Sequence, residues 1–74
     1  MQRIDFDLDP GHEYVELNQL LKLVGIADSG GHGKTIVASG EVTVDGVQEL
    51  RKTAKIRAGQ TVRIEDVEIL ISDA

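Results

Sequence analysis

The sequence predicts an α+β fold, in which two packed, short helices lie against a small, mostly antiparallel sheet of three to five strands. Three observations predict it. An alternating segment opens the chain, two neighbouring segments with helical spacing follow, and the second half holds short apolar runs separated by turn residues. Helices followed by strands along one chain are typical of this class. We expect residues 1–74 to form one domain, because a chain this short supports a single core.

The first predicted element is a strand over residues 3–8. Apolar and polar side chains alternate there, and this period of two is typical of a half-buried strand. The apolar positions are Ile4, Phe6 and Leu8, with Asp5 and Asp7 between them. Pro10 and Gly11 should end the strand.

A first helix is predicted from Asn18, a favourable N-cap residue, to Gly25, an expected C-terminal stop. Residues 14–17 are expected to lead into it. The side chains expected to face the core recur at helical spacing: Leu17, Leu20, Leu21 and Val24.

A second helix is predicted after Asp28 and Ser29, either of which could cap it, and it should run to about Ser39 before Gly40. Its inner face should carry Gly33, Ile36, Val37 and Gly40. A glycine on that face would let the helix approach its neighbour closely.

The second half of the chain predicts strands. Asp45 and Gly46 separate the runs 41–44 and 47–49, which is a strong hairpin signal. Residues 58–60 predict another turn. A strand over 61–64 should pair with one over 67–71 across Glu65 and Asp66.

Composition excludes several classes of site. The chain has no cysteine, so disulfides and thiolate zinc sites are excluded, and two histidines make a closed transition-metal site improbable. We expect no cofactor or metal. No run approaches the ~18 apolar residues of a membrane span, and the acidic, alternating start does not resemble a signal peptide. The predicted location is the cytoplasm.

Charge is unevenly distributed. The formal net charge is -5, yet residues 50–64 contain no carboxylate. Their five cations are Arg51, Lys52, Lys55, Arg57 and Arg63. We call residues 51–57 the cationic segment. It could be a solvated loop, but a cation-only segment in an acidic protein favours phosphate contact.

A glycine-rich run occupies the predicted start of the second helix. Residues 29–33 read Ser-Gly-Gly-His-Gly, which is compatible with a flexible loop or with close backbone approach by a phosphate. A helix N-terminus suits an anion, and Lys34 would add a full charge. Gly33, Lys34 and Thr35 resemble the end of a P-loop, but Asp28 stands where that motif needs glycine, so nucleotide hydrolysis is not expected. We interpret His32 as a solvated surface histidine.

The order of these motifs resembles a known family. The run comprises Leu20-Leu21-Lys22, Gly25, Ser29-Gly30-Gly31, Lys34, the Gly-x-Val-x-Val-x-Gly pattern over 40–46, Glu49-Leu50-Arg51, Lys55 and 58–62. It resembles, over about residues 16–64, the RNA-binding domain first described in ribosomal protein S4, in its short, stand-alone bacterial version. The resemblance implies two helices on a small sheet, with RNA bound by the second helix and the following loop. The residues it implies for RNA binding are Ser29, Gly30, Gly31, Lys34, Arg51, Lys52 and Lys55.

The sequence therefore predicts a small, monomeric RNA-binding protein rather than an enzyme. Its target would be structured RNA of ribosomal or transfer type, read by shape and phosphate because few aromatic residues can stack on bases. The ribosome or another protein is a further candidate partner. The alternative is a protein–protein adaptor that uses the acidic strands to bind a basic partner.

Overall fold

The computed structural model describes residues 1–73, and its elements confirm the α+β prediction. They follow in the order β1 (Gln2–Leu8), β2 (Val15–Glu16), α1 (Leu17–Leu23), α2 (Gly30–Ala38), β3 (Val42–Val44), β4 (Val47–Gln48), β5 (Lys55–Ile56), β6 (Thr61–Ile64) and β7 (Val67–Asp73).

The main sheet has five strands in the order β1-β7-β6-β3-β4. The pair β1–β7 is parallel, with Ile4 opposite Ile69 and Phe6 opposite Ile71, whereas the pairs β7–β6, β6–β3 and β3–β4 are antiparallel. The sheet is therefore mostly antiparallel, as expected. Its first strand in sequence joins the last strand at one edge.

The predicted hairpin at Asp45 and Gly46 is confirmed. Val44 pairs with Val47 across it, and both turn residues have positive φ, 51° at Asp45 and 82° at Gly46. Two consecutive positive φ angles give the turn whose twist matches that of its flanking strands. The Asp45 carboxylate accepts the Thr61 N–H at 2.9 Å, so this turn is also tied to β6.

Residues 14–17 were expected only to lead into the first helix, and this expectation is wrong for residues 15 and 16. Val15–Glu16 forms β2, which pairs antiparallel with β5 of the cationic segment, Val15 opposite Ile56 and Glu16 opposite Lys55. Two residues are too few to show a periodicity, and their partners lie 41 and 39 positions further along the chain. Hydrophobic periodicity therefore could not predict this two-stranded β2–β5 ribbon.

The start of α1 also differs from the prediction. Its N-cap is Glu16, without a side-chain cap, while Asn18 lies inside the helix and is buried. Main-chain carbonyls of the cationic segment replace the expected cap. The Leu17 N–H donates to the Ala54 carbonyl at 2.9 Å, and the Asn18 N–H to the Lys52 carbonyl at 3.1 Å. Gly25, at φ 83°, follows the helix as predicted.

The core lies between the helices and one face of the main sheet. Its fully buried larger side chains are Leu17, Leu20, Leu21, Val37, Val42, Ile56, Val62 and Ile69. Val24 and Ile36 pack against them as partly buried neighbours, and Gly33 is buried in α2. The predicted inner faces of both helices are therefore confirmed. On the opposite face of the sheet Arg63 is exposed between buried Val62 and Ile64.

Candidate nucleic-acid interface

The start of α2 is built by a serine cap. Ser29 has extended backbone angles, and its Oγ accepts the His32 N–H at 3.1 Å. Gly30 and Gly31 form the first turn, where a helix has no carbonyl acceptors of its own for the N–H groups. Two glycine N–H groups, unshielded by side chains of their own, thus lie at the positive end of a nine-residue helix. Such an end can bind an anion.

His32 helps to hold this turn. Its Nδ1 accepts the Asp28 N–H at 3.0 Å and lies 3.8 Å from the Asp28 carboxylate. The arrangement resembles a capping box, in which the third helical residue reaches back to a backbone N–H before the helix. His32 is exposed, as expected, and it also makes a structural hydrogen bond that the sequence did not indicate.

Asn18 joins the start of α2 to the cationic segment. Its backbone N–H donates to the Lys52 carbonyl at 3.1 Å, and its side-chain Nδ2 donates to the Gly30 carbonyl at 3.4 Å. One buried residue therefore contacts both surfaces that sequence analysis selected. Because a bond on each side of Asn18 links them, the two surfaces are neighbours in the fold.

The cations of this region are not equally available. Arg51 binds Glu49 through Nη2–Oε1 at 3.0 Å and Nε–Oε2 at 3.1 Å, and its backbone N–H donates to the same carboxylate. These hydrogen bonds from Arg51 lower the pKa of Glu49, and the carboxylate in turn raises the pKa of Arg51. Arg51 thus carries a compensated charge, which the cation count of the sequence did not reveal.

Three lysines keep their charge uncompensated. Lys34, Lys52 and Lys55 are exposed, and within residues 1–73 none has a carboxylate oxygen within 4.0 Å. Lys52 and Lys55 belong to the cationic segment, and Lys34 lies one turn into α2. The positive field of this region therefore comes chiefly from lysines.

Tyr14, which sequence analysis did not select, joins the region through two residues of the cationic segment. The Lys55 Nζ lies 5.0 Å from the centroid of the Tyr14 ring, and the Arg57 Cζ lies 5.7 Å from it. Both distances are typical of cation–π contacts. Arg57 also has Glu13 at 3.9 Å. The available signal was weak, since Tyr14 and Arg57 are 43 positions apart and meet only because β2 and β5 pair.

Other kinds of site are not indicated in the described part of the chain. Residues 1–73 contain no group of three or more histidine and carboxylate side chains placed to hold a metal ion. Among those residues, no helix has the length and apolar character needed to cross a membrane.

Comparison with known proteins decides the family. A family model described as "S4 domain" matches residues 8–72. The chain belongs to the S4 domain family. The match extends from the last residue of β1 to Ser72 of β7, so both helices, the cationic segment and the residues around Asn18 all lie inside this S4 domain.

Individual relatives agree with the family assignment. The Escherichia coli (strain K12) protein named "Putative RNA-binding protein YbcJ" is 55% identical over 51 residues, which covers 69% of this S4 domain chain and 73% of the relative. YbcJ of Shigella flexneri shows the same identity and coverage. The solution structure of YbcJ from E. coli is described as revealing an ALFAL motif involved in RNA-binding. It matches with a TM-score of 0.64 and 46% identity, over 89% of this chain and 85% of that one.

Proposed function

We propose that this S4 domain binds structured RNA through one continuous face, made by the start of α2 and the cationic segment. The residues of this RNA face are Ser29, Gly30, Gly31, Lys34, Arg51, Lys52 and Lys55. The observation that carries the proposal is the position of Asn18, which bonds to the Lys52 carbonyl on one side and to the Gly30 carbonyl on the other. The RNA-binding descriptions of the YbcJ relatives support the same reading.

The two halves of the RNA face have different roles. At the start of α2, the N–H groups of Gly30 and Gly31 can donate to a phosphate that approaches the backbone closely. Lys34, Lys52 and Lys55 supply flexible point charges around that position. Arg51 uses two of its nitrogens for Glu49, so it reaches phosphate with its remaining N–H groups or after releasing the carboxylate.

The face suits paired RNA of ribosomal or transfer type. Proteins recognise double-stranded RNA largely by shape and by contacts to phosphates and 2′-hydroxyl groups, which need N–H donors and cations more than aromatic side chains. The proposal is a monomeric, non-catalytic RNA-binding protein of the cytoplasm, which acts on the ribosome or on another structured RNA.

A salt titration with a fully paired RNA hairpin tests phosphate-led binding. If three cations each contact a phosphate, the slope of log K against log salt should be about -2 to -3, because roughly 0.7–0.9 counterions leave per contact. A flat salt response would contradict the proposal.

A matched pair of double variants tests the location of the face. Lys34→Ala with Lys55→Ala removes one cation from each half and should weaken hairpin binding by about tenfold or more, since charge-assisted contacts are worth roughly 1.5–3 kcal/mol each before screening. Lys22→Ala with Arg63→Ala removes the same net charge from the far end of α1 and from the outer face of the sheet. It should cost much less affinity.

The adaptor alternative gives the opposite results. An adaptor would bind a basic partner protein through its acidic strands, and that binding should survive nuclease treatment. No measurable hairpin affinity in the parent, together with partner-protein binding that neither double variant weakens, would favour it.

A further inference from the structure

We infer that Tyr14 and the cleft beside it bind one unpaired base of the RNA, so that this S4 domain reads a junction between paired and single-stranded RNA. The inference rests on the proposed function and adds to it a base-stacking site, outside the seven residues of the RNA face.

Tyr14 lies at the surface, where its ring is accessible to a base. The residue stays 39% exposed, whereas Phe6, the other aromatic residue, packs against the core. Ile56 of β5 is buried, and strand side chains alternate between faces. Lys55 and Arg57 therefore both point outward, where they cover the Tyr14 ring at 5.0 and 5.7 Å.

Bases stack on aromatic rings and on arginine guanidinium planes in single-stranded RNA recognition. Tyr14 and Arg57 provide one surface of each kind, in contact with each other. Lys55 is long and flexible, so it can leave the ring for a backbone phosphate when a base arrives.

The cleft beside Tyr14 has room for a nucleotide. It is open to solvent on one side, is lined by residues 11–16 and Gln19, and has a volume of about 510 Å³, within the roughly 300–1,000 Å³ of typical ligand sites. Glu13 and Glu16 line it too, and their carboxylates oppose a phosphate there. Carboxylates do accept hydrogen bonds from base amino groups. The chemistry of the cleft thus favours a base edge over the backbone.

Gln19 connects this cleft to the RNA face. It lines the cleft, and its Nε2 lies 2.7 Å from the position that a Cβ on Gly30 would occupy. Gln19 therefore borders both the cleft and the glycine start of α2. A nucleotide whose phosphate is held at Gly30 and Gly31 can place its base in the cleft against Tyr14.

The fluorescence of Tyr14 tests the inference directly, because the chain contains one tyrosine and no tryptophan. The parent protein is titrated with a fully paired RNA hairpin, and with the same hairpin carrying a short unpaired tail at its open end. A base stacked on the ring quenches its emission. We expect quenching with the tailed hairpin, little change with the blunt one, and about fivefold or more tighter binding of the tailed RNA.

Two variants separate stacking from structural effects. Tyr14→Phe keeps an aromatic face and should keep the preference for the tailed hairpin. Tyr14→Leu keeps apolar bulk without a flat ring and should lose the preference, while its affinity for the blunt hairpin stays near that of the parent. Circular dichroism and thermal melting check that both variants fold.

The outcomes distinguish the two proposals. Equal affinity for both hairpins with unchanged Tyr14 emission would overturn the stacking site and leave the RNA face standing. A tail preference that Tyr14→Leu retains would also overturn it. Failure of the parent to bind either hairpin would overturn both proposals.

Discussion

Gly33 of α2 lies directly against the backbone of Asn18 in α1. A Cβ at position 33 would overlap the Asn18 carbonyl oxygen and would lie 3.1 Å from the Asn18 Cα. Since backbone cannot rotate away as a side chain can, Gly33→Ala should push the helices apart. We expect a loss of about 1–3 kcal/mol in the free energy of unfolding, which is usual for an overpacked core. Thermal melting should show a fall of about 4–8 °C per kcal/mol.

Gly31→Ala is the matched comparison within the same helix. The nearest atom to a Cβ at this position is the Ser29 Oγ at 3.8 Å, an ordinary contact. Alanine should therefore stabilise the free protein by about 0.5–1 kcal/mol, because it restricts the unfolded chain. If RNA backbone approaches Gly31 closely, hairpin affinity should fall although stability rises. Unchanged affinity would mean that no phosphate comes close to this position.

The His32 imidazole should stabilise the start of α2 without contacting RNA. His32→Ala removes the acceptor of the Asp28 N–H and should cost about 0.5–1 kcal/mol, as loss of a helix cap does. His32→Gln should cost less, since glutamine makes the same reach in capping boxes. Chemical denaturation of both variants measures the difference. A large loss of hairpin affinity in His32→Gln would instead place His32 in the interface.

Glu49→Gln should release Arg51 for RNA. The neutral amide holds the guanidinium less strongly, and an ion pair with one exposed partner is weak, so affinity should rise by up to about fivefold. The salt dependence should steepen by about 0.7–0.9 if Arg51 then contacts a phosphate. Glu68→Gln is the control, because it frees Arg63, whose Nε lies 3.7 Å from Glu68, on the outer face of the sheet. An equal gain in both variants would indicate a general charge effect.

The pH dependence of the same pair has a definite sign. Glu49 has a pKa below its ordinary value of 4.5 in the folded chain. A lowered pKa contributes stability above the unfolded value, and that contribution is lost as pH falls through the folded one. The difference in melting temperature between the parent and Glu49→Gln should therefore stay constant from neutral pH to about pH 5, and shrink below that. A difference that grows on acidification would contradict this assignment.

Lys55 and Arg57 should differ in their importance for paired RNA. Of these two residues, the family resemblance implies only Lys55 for RNA binding. In the structure the Arg57 Nη1 lies 3.9 Å from the Glu13 carboxylate. Lys55→Ala should therefore weaken binding of the blunt hairpin more than Arg57→Ala, with melting temperatures nearly unchanged at these surface positions. Equal losses would show that the cationic segment acts as diffuse charge rather than through individual contacts.

Local sequence signals predicted the elements that local chemistry determines. Asp45 and Gly46 specify their turn because its backbone angles favour those residues. Ser29 caps α2 through a hydrogen bond only three residues long. The core faces of both helices follow from apolar spacing. Such features need no knowledge of distant parts of the chain.

Features that depend on distant partners were missed or misread. Asparagine is a common N-cap residue, but Asn18 is not the N-cap here, because the Lys52 and Ala54 carbonyls already accept from the first N–H groups of the helix. The β2–β5 ribbon brings Tyr14 to the cationic segment, which no count of aromatic residues could show. Arg51 and Glu49 are only two residues apart and form a hydrogen bond. Glu49 nevertheless lies just outside the carboxylate-free stretch 50–64, so the charge pattern of that stretch did not indicate their pairing.

The main-chain bonds that fix the cationic segment to the first helix have an evolutionary consequence. Because the Lys52 and Ala54 carbonyls, and not their side chains, accept from the Asn18 and Leu17 N–H groups, the path of the segment does not depend on the identity of residue 52. Selection can therefore exchange the outward side chains, and with them RNA affinity or preference, without redesigning the scaffold. We expect related sequences to vary more at position 52 than at Asn18, whose small buried amide has no substitute of equal shape and hydrogen bonding.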